Sequence, residues 1–411
     1  METVVLCCEA GDGRGHLVKL SIVAKALKPF ANIIALVGRT DQAQILMPYC
    51  KAIYPAAAMH QIDDRRLQAE LMDGQQGRLA QRWSSWLAKG GFFTEDILRT
   101  RFAWWHETFL RLRPALVVAE YCPTALLAAR ALGIPCCATG NAYGLPPATM
   151  DSFPSLAPGE DNGILLDEEK LLDAVNAVVV PYGLHPLNRL PAIYKSDVAL
   201  PSGVKLWDPY AEWRRDELIL PIENFPPLAD GHGTELFIYF SVNEFDEGAI
   251  LDAVASLDMP ARCFAPKLSV QARAKLASSP NIHIETAPVP QREIVARARM
   301  VLCAGQAGTM ALSALSGLPV VALPRQSEQA TNARAAAQLS SCRCLTRPER
   351  TKDSILAALS ELWSDPLVRK EALKTAAKLR LDYSEDALQT YRRRLGPVIA
   401  RRRDLRIAPL V

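Results

Sequence analysis

Short apolar runs alternate with longer amphipathic segments along most of the chain. Runs of four to six apolar, often β-branched, residues predict strands, and the longer periodic segments between them predict helices. This alternation is typical of parallel α/β layering. In the first half, the predicted strands are residues 3–8, 32–37, 116–119, 134–139 and 177–180, and the predicted helices include 16–27 and 124–132.

The same alternation restarts in the second half, after an interruption at residues 223–233. Two adjacent prolines and two glycines break all periodicity there, which predicts a linker. Because a chain of this length folds into roughly two domains, we predict one parallel-sheet domain at 1–222, a second at 234–383, and a C-terminal segment at 384–411. The strands predicted for the second domain are 236–240, 261–264, 282–284, 300–303, 320–323 and 342–345.

Residues 60–112 interrupt the alternation inside the first domain. This stretch is helical in pattern and contains four of the seven tryptophans. Two interpretations stay open: a helical core, or an inserted aromatic wall of a pocket for an apolar or ring-bearing ligand. The aromatic side chains concerned are Trp83, Trp86, Trp104, Trp105, Phe92, Phe93 and Phe102.

The charge balance argues against a nucleic-acid surface that covers the whole protein. The chain has 47 Lys and Arg against 44 Asp and Glu, a formal charge of +3, so any basic patch must be local. No apolar run reaches the ~18–20 residues needed to cross a bilayer. Residues 1–8 enter an apolar strand without a basic leader. We therefore expect a cytoplasmic protein that has no nucleic-acid partner.

The ten cysteines favour the same compartment. Most lie in apolar runs, such as Cys7-Cys8 and Cys136-Cys137, where a thiol behaves as a small hydrophobe. The sequence contains no C-x-x-C pair, and its six histidines show no zinc-site spacing. These features predict no metal site and no disulfide, which is typical of a reducing cytoplasm.

Two arginine triplets, at residues 392–394 and 401–403, concentrate positive charge near the end of the chain. A solvated helix face would account for them. The alternative is a reversible contact with an anionic membrane surface or an acidic partner.

A glycine-bearing loop, residues 9–16, joins the first predicted strand to its helix. It departs from a dinucleotide-binding fingerprint because His16 stands where a small residue is needed, and Glu9 and Asp12 would repel a pyrophosphate. His16 is instead a candidate general base, since imidazole titrates near neutral pH. Glu120, at the end of a buried strand, is the candidate carboxylate that orients it. A histidine that merely caps the helix and an ordinary solvated strand end are the alternatives.

A second glycine turn, residues 303–309, again joins a predicted strand to a helix. The N–H groups at such a helix start form a site for phosphate. The following strand ends at Pro324, and Glu328 with Gln329 come at the start of the next helix. An adjacent carboxylate and amide suit a ligand with several hydroxyl groups.

The motifs of the second half occur in one order: Pro290-Gln291, Ala307-Gly308-Thr309, Gly317-x-Pro319, Pro324, Glu328-Gln329 and Asn332-Ala333. Together they resemble the donor-binding signature of nucleotide-sugar-dependent glycosyltransferases of the GT-B fold. That family includes the UDP-glucuronosyltransferases and the plant and antibiotic glycosyltransferases. The first half resembles the family's acceptor domain at Gly15-His16, at the strand that ends at Glu120, and at residues 131–135.

The resemblance implies two Rossmann-like domains that face each other across a cleft, with the last helices from about residue 384 crossing back to the first domain. It implies that His16 deprotonates the acceptor hydroxyl and that Glu120 takes the place of the family's aspartate. The residues implied for the donor are Ser241, Asn243, Gln291, Gly305, Gln306, Gly308, Thr309, Glu328 and Gln329. Those expected at the acceptor are Gly15, Trp83, Trp86, Trp104 and Asn141.

Three positions depart from the family pattern. Ala304 stands where the family commonly has a histidine that donates to the diphosphate, Leu312 where it has a ribose-binding glutamate, and Asn243 where it has a glycine. Loss of one charge-assisted contact weakens binding by about tenfold to hundredfold unless another group replaces it. A nucleotide without one ribose hydroxyl, as in a dTDP-sugar, is therefore an alternative to UDP.

The resemblance predicts an inverting, metal-independent transfer of a sugar from a UDP- or dTDP-sugar to a hydroxyl of a small or lipid-like acceptor. The nucleotide sugar, with UDP as the first expectation, is a co-substrate, and no further cofactor is predicted. Three alternatives stay open: a lipid glycosyltransferase at the membrane surface, a nucleotide-sugar hydrolase or epimerase, and an inactive nucleotide-binding scaffold or partner protein.

Overall fold

The computed structural model of the protein describes residues 1–10, 14–59, 61–72, 77–157 and 162–407. The chain divides into two compact units. Unit 1 comprises Met1–Ser202, Pro209–Ile219 and Glu385–Val411, and unit 2 comprises Gly203–Asp208 and Leu220–Ser384.

Unit 1 is built on a six-stranded sheet whose paired strands all run parallel, in the order β3-β2-β1-β4-β5-β6. β1 and β4 are central and buried on both faces, which explains their nearly continuous apolar sequences. Their register pairs Cys8 with Glu120, so the ends of these two strands lie side by side. The strands are β1 Glu2–Cys8, β2 Ala31–Val37, β3 Ala52–Pro55, β4 Leu116–Glu120, β5 Cys136–Asn141 and β6 Val198–Ser202.

Six helices of unit 1 precede the second unit. Those within residues 60–112 pack against the sheet: Trp83, Phe92, Phe102 and Trp105 are each at most 1% exposed and belong to the main apolar core. The structure therefore makes this aromatic stretch mainly core, although Trp86 and Trp104 are only partly buried. The helices are α1 Arg14–Leu27, α2 Asp64–Leu71, α3 Trp83–Lys89, α4 Glu95–Leu112, α5 Pro123–Ala131 and α6 Glu168–Val179.

The strand predicted at residues 177–180 is wrong. These four apolar residues form the end of α6 and a short 3-10 helix, because a brief apolar run does not distinguish a buried helix from a strand. Two strands of the sheet lie outside the predicted ones: β3, and β6, an edge strand that contains Pro201. Proline is tolerated at a sheet edge because its missing N–H breaks no central ladder.

Unit 2 has a sheet of the same kind, in the order β12-β11-β10-β7-β8-β9. All six of its predicted strands are present, each with bounds within two residues of the prediction. The strands are β7 Glu235–Tyr239, β8 Ala261–Phe264, β9 Ile282–Ile284, β10 Ala298–Cys303, β11 Val320–Ala322 and β12 Cys342–Cys344. The helices are α7 Gly248–Ala255, α8 Val270–Ala277, α9 Gln291–Arg297, α10 Ala307–Ser316, α11 Ser327–Ala336, α12 Lys352–Ser364 and α13 Pro366–Arg380.

The last helix, α14 Ala387–Ile407, belongs to unit 1 and carries the first arginine triplet. Arg392 Nε donates to Ala26 O at 3.3 Å, and Arg393 and Arg394 both form ion pairs with Glu217. These three arginines therefore have contacts within the unit, and a membrane contact through them stays a prediction. Among the described residues, no helix is long and apolar enough to cross a membrane.

Candidate functional site

His16 and Glu120 meet at the carboxyl ends of β1 and β4. His16 lies in the first turn of α1, and its Nδ1 is 2.9 Å from a Glu120 carboxylate oxygen although the two residues are 104 positions apart. The Glu120 side chain is 3% exposed and that of His16 is 20% exposed. When Glu120 is ionised, Nδ1–H donates to it and Nε2 keeps its lone pair. The pair therefore has the arrangement of a base and its orienting carboxylate.

A cluster of aromatic side chains lies next to His16 in unit 1. The Tyr121 ring lies 4.5 Å from the His16 ring, and Trp86 contacts Tyr121 edge-on at 5.6 Å. Tyr121 Oη also donates to Asn141 Oδ1 at 3.0 Å. The structure thus brings Trp86 and Asn141, two residues predicted at the acceptor, next to the histidine through Tyr121.

The other predicted tryptophans lie differently. Trp83 stacks on Trp86 at 4.5 Å, but it is 1% exposed and its Nε1 donates to Tyr194 Oη at 2.7 Å. Trp104 packs edge-on against Trp105 on α4. Trp83 therefore supports the ring cluster from within the core, and Trp104 belongs to a separate aromatic contact.

Only part of the first glycine loop is described. Gly11, Asp12 and Gly13 lie outside the described residues, whereas Gly15 is the second residue of α1, and an added Cβ there would meet no atom within 4 Å. Glu9 is fully buried and accepts a hydrogen bond from Thr124 Oγ1 at 3.2 Å. Burial raises the pKa of Glu9, and the nearby Arg101 guanidinium opposes that rise. Glu9, the residue after β1, therefore connects to the start of α5.

Cys8, His16 and Glu120 are also residues of metal-binding type. Their ligand atoms lie within 4.8 Å of one another, and this is the one such group among the described residues. Burial and the Glu120 charge raise the pKa of the Cys8 thiol well above its usual value. A coordinating cation would deprotonate such a thiol, so metal binding and proton transfer by His16 and Glu120 are alternative uses of these three residues.

Lys19 lies three residues after His16 on α1 and is 7% exposed. Burial lowers the pKa of its ammonium from 10.5 to about 8, and the Glu120 carboxylate opposes this shift only in part. Between these pH values the unfolded chain binds more protons than the folded chain. The contribution of Lys19 to stability therefore rises with pH from about 8 to 10.5, and the full penalty of burying its charge is present below pH 8.

We expect Lys19→Met to raise the free energy of unfolding by about 1–3 kcal/mol at pH 7, a gain that disappears near pH 10.5. Buried thiols lower the stability as the pH rises above about 9. This contribution is the same in variant and wild type, so it cancels in the difference between their free energies of unfolding. Chemical denaturation from pH 7 to 10.5 measures that difference. Lys51→Met, at an exposed lysine, is the control without a pH-dependent gain. A gain from Lys19→Met that is the same at every pH would contradict this origin.

Eight of the nine donor residues predicted in unit 2 follow the carboxyl ends of β7, β10 and β11, which are neighbours in the sheet, whereas Gln291 follows the edge strand β9. Gln306 Nε2 donates to Ser241 Oγ at 3.2 Å and so links the turn after β10 to the loop after β7. Asn332 Nδ2 donates to Gly305 O at 3.3 Å and links the same turn to α11. Three strand ends are therefore held together by hydrogen bonds.

The start of α10 is suited to an anion. Gln306 is its N-cap residue, but the Gln306 side chain makes no cap and instead accepts from Ala304 N at 3.1 Å. The first turn has no acidic residue, Gly308 is exposed, and no atom lies within 4 Å of where a Gly308 Cβ would be. The N–H groups of this turn and the helix dipole favour a phosphate here, with the Thr309 hydroxyl beside them.

The remaining predicted donor residues differ in what they can offer. Gln329 is 5% exposed, and its Oε1 accepts from the backbone N–H groups of Arg325 and Gln326, so this oxygen caps α11. Glu328 beside it is half-buried, and Gln291 is exposed at the start of α9. Ala304 and Leu312 are buried apolar positions that present no polar group.

Sequence reasoning missed three residues at these sites: Tyr121, Lys19 and Arg325. Tyr121 directly follows Glu120, and Lys19 is three residues from His16, a spacing that places two side chains on one side of a helix. Arg325 follows Pro324. None forms a recognisable motif, so position next to a candidate residue was the only signal available.

No protein-family model matches the sequence. No curated protein matches it significantly either. Solved structures do match over nearly the whole chain, and three serve as examples. The calicheamicin glycosyltransferase CalG4 has a TM-score of 0.66 at 15% identity, covering 99% of this chain and 99% of its own. The glycosyltransferase VinC in complex with dTDP scores 0.63 at 14% identity, covering 97% and 100%. The spinosyn rhamnosyltransferase SpnG, complexed with spinosyn aglycone, scores 0.64 at 14% identity, covering 96% and 100%.

These likenesses establish the fold. The two six-stranded parallel sheets with interleaved helices correspond to the two Rossmann-like domains of GT-B glycosyltransferases. The predicted fold class is therefore confirmed.

Proposed function

We propose that the protein is an inverting glycosyltransferase that moves a sugar from a nucleoside-diphosphate sugar to a hydroxyl group of a small acceptor. The observation that carries this proposal is the 2.9 Å contact between His16 Nδ1 and the buried Glu120 carboxylate at the carboxyl edge of the unit 1 sheet. Its support is the likeness to solved glycosyltransferases, among them structures with dTDP and with an aglycone.

In this mechanism His16 Nε2 removes the proton of the acceptor hydroxyl. Glu120 keeps Nδ1 protonated, orients the ring and stabilises the imidazolium that forms. The acceptor oxygen then attacks the anomeric carbon, a new C–O bond forms, and the nucleoside diphosphate leaves with the electron pair of the broken bond. A single displacement of this kind inverts the configuration at the anomeric carbon.

Unit 2 would hold the donor. We assign the diphosphate to the start of α10, where Gly305, Gly308 and Thr309 offer backbone N–H groups and a hydroxyl. Glu328 would accept hydrogen bonds from sugar hydroxyls, whereas Gln329 mainly shapes the start of α11. Gln291, exposed at the start of α9, would lie beside the nucleobase. Transfer would need no metal ion, since the helix N-terminus stabilises the leaving diphosphate.

Unit 1 would hold the acceptor. The edge formed by His16, Tyr121 and Trp86 offers flat apolar rings beside the proposed base. Rings of this kind stack on flat apolar surfaces, while Asn141 and the Tyr121 hydroxyl form a polar contact at the same place. An acceptor with an aromatic or polycyclic body and a free hydroxyl suits this edge best.

Thermal unfolding in the presence of UDP, dTDP and GDP tests the donor half of the proposal. A nucleotide at about 100 times its Kd raises the stability by about 2.7 kcal/mol, so one of the three should raise the Tm clearly. The matching nucleotide sugar, supplied with a panel of aromatic and polycyclic alcohols, should then release nucleoside diphosphate at the same rate with and without EDTA. No Tm shift with any nucleotide would favour an inactive partner protein, and sugar released to water without an acceptor would favour the hydrolase.

A further inference from the structure

We infer that Arg325 binds the diphosphate of the nucleotide sugar and stabilises the negative charge of the leaving group. This assignment rests on the proposed function and adds the cation that the sequence motifs lack. The donor groups gathered at the start of α10 are neutral: backbone N–H groups, the Ser241 and Thr309 hydroxyls and the Gln306 amide. A leaving diphosphate carries at least two negative charges, and charge-assisted hydrogen bonds are about twice as strong as neutral ones.

The Arg325 side chain links two loops at the same edge of the unit 2 sheet. Arg325 follows the end of β11, and its Nη1 donates to the backbone oxygen of Asn243, with Asn243 Oδ1 at 3.4 Å. Asn243 lies in the loop after β7, and β10 lies between β7 and β11 in the sheet. The hydrogen bond from Arg325 to Asn243 therefore links the loops after β11 and β7, the two strands on either side of β10, which leads through Gly305 into α10.

Further hydrogen bonds hold both residues of this Arg325–Asn243 contact in place. The Arg325 backbone N–H donates to Gln329 Oε1 at 2.9 Å, which fixes the start of the side chain against α11. Asn243 Nδ2 donates to Asp246 Oδ2 at 2.9 Å, which fixes the receiving loop. In the described part of the chain, the side-chain hydrogen bonds of Arg325 use Nη1 only, so Nε and Nη2 retain N–H groups for a ligand. The planar fork of an arginine matches two phosphate oxygens at once.

The neighbouring arginines do not serve this purpose. Arg350 lies near the end of β11, where its Nη1 donates to Leu323 O. Its side chain is 0% exposed, and its Nε is 3.4 Å from a Glu247 carboxylate oxygen. Burial lowers the pKa of Arg350, an effect that Glu247 partly opposes and the positive charge of Arg325 reinforces. Arg347 is exposed in the short 3-10 helix Arg347–Glu349 after β12, the edge strand that β11 separates from β10 in the sheet. Arg347 is therefore a matched control for an exposed arginine at a nearby strand end.

Calorimetric titration with a nucleoside diphosphate and with its parent nucleoside separates phosphate binding from base binding. For whichever of UDP, dTDP and GDP binds wild type, we expect Arg325→Gln to weaken the diphosphate by about tenfold to hundredfold and to change nucleoside affinity less than twofold. Arg325→Lys should recover part of the loss, because it keeps the charge but not the fork. Arg347→Gln should match wild type. Since Arg325 is exposed, all three variants should keep the wild-type Tm without ligand.

Equal weakening of nucleoside and diphosphate by Arg325→Gln would overturn the inference, because Arg325 would then only hold the Asn243 loop in place. Unchanged diphosphate affinity in Arg325→Gln would overturn it as well, and the proposed function would stand. Wild-type protein that binds none of the three diphosphates would remove both the proposed function and this inference. The dependence of affinity on salt concentration gives a second readout. Loss of one phosphate contact should make the affinity for the diphosphate less sensitive to salt and leave the salt dependence of nucleoside affinity unchanged.

Discussion

Replacing His16 by alanine is expected to slow sugar transfer by about 10²- to 10⁴-fold, the usual contribution of a general base. The acceptor hydroxyl would have to lose its proton without help while its oxygen attacks the anomeric carbon. The proposed donor site lies in unit 2, so the Kd for nucleoside diphosphate should not change. The loss of His16 removes a hydrogen bond from the buried Glu120 carboxylate, so a lower Tm is expected, and the rate is measured well below that Tm. Single-turnover release of nucleoside diphosphate, with an acceptor found in the alcohol panel, measures the rate.

Glu120→Gln separates the two partners of this pair. Glutamine keeps the size of the side chain and still accepts from Nδ1–H, but it gives no negative charge to stabilise the imidazolium. Exchange of a charged for a neutral hydrogen bond should lower the rate by about tenfold to hundredfold. His185→Ala, at an exposed histidine of the same unit, is the control and should transfer sugar at the wild-type rate. Full activity in His16→Ala would mean that another group takes the proton.

Gly305→Ala is expected to have the largest effect on the donor site. Gly305 has φ +85°, in the left-handed region that an L side chain enters only at a cost, and an added Cβ would lie 2.7 Å from Gln329 O. That atom belongs to the backbone of α11 and has little room to move. We expect stability to fall by about 1–3 kcal/mol. Because the same turn leads into α10, the affinity for nucleoside diphosphate should fall by about tenfold or more.

Gly308→Ala provides the matched control three residues further along. Its Cβ would meet nothing within 4 Å, and alanine favours a helix over glycine by about 0.5–1 kcal/mol. The Gly308 variant should therefore be at least as stable as wild type, and any loss of diphosphate affinity would come from contact with the ligand itself. Chemical denaturation and nucleotide titration of both variants make the comparison. If Gly305→Ala were as stable and bound as well as wild type, the turn would not require glycine.

The elements of unit 2 were predictable because each is a local pattern. Apolar runs with Gly and Pro at their ends define strands such as β10 and β11, and residue 305 lies in a glycine turn that sequence alone marks as a helix start. The same rule failed at residues 177–180, where four apolar residues end α6. A buried helix face and a buried strand select the same residue types. Because this run has only four residues, it shows neither the helical period nor the strand period, and the two cannot be distinguished.

The candidate site residues were also only partly predictable from the sequence. His16 and Glu120 were each identifiable as groups at the ends of strands, and the donor residues by a resemblance in motif and spacing. Gln329 shows the limit of that approach: its position suggested a sugar contact, but in the folded protein its side-chain oxygen caps α11. Trp83 likewise appeared as a pocket residue and is buried in the core. A residue type at the right spacing does not reveal which of its polar atoms are already used.

The sequence by itself determined that the chain forms two parallel α/β domains, which six strands build the second of them, where the glycine turns lie, and which residue types end at the strand edges. These follow from hydrophobic period and turn chemistry, which act within a few residues. Tertiary structure alone decided that Glu120 lies 2.9 Å from His16, that Lys19 is buried on the same helix, and that Arg325, after β11, donates to Asn243 in the loop after β7. Those contacts join residues as far as 104 and 82 positions apart, and they depend on the order and register of strands, which packing of the whole sheet selects.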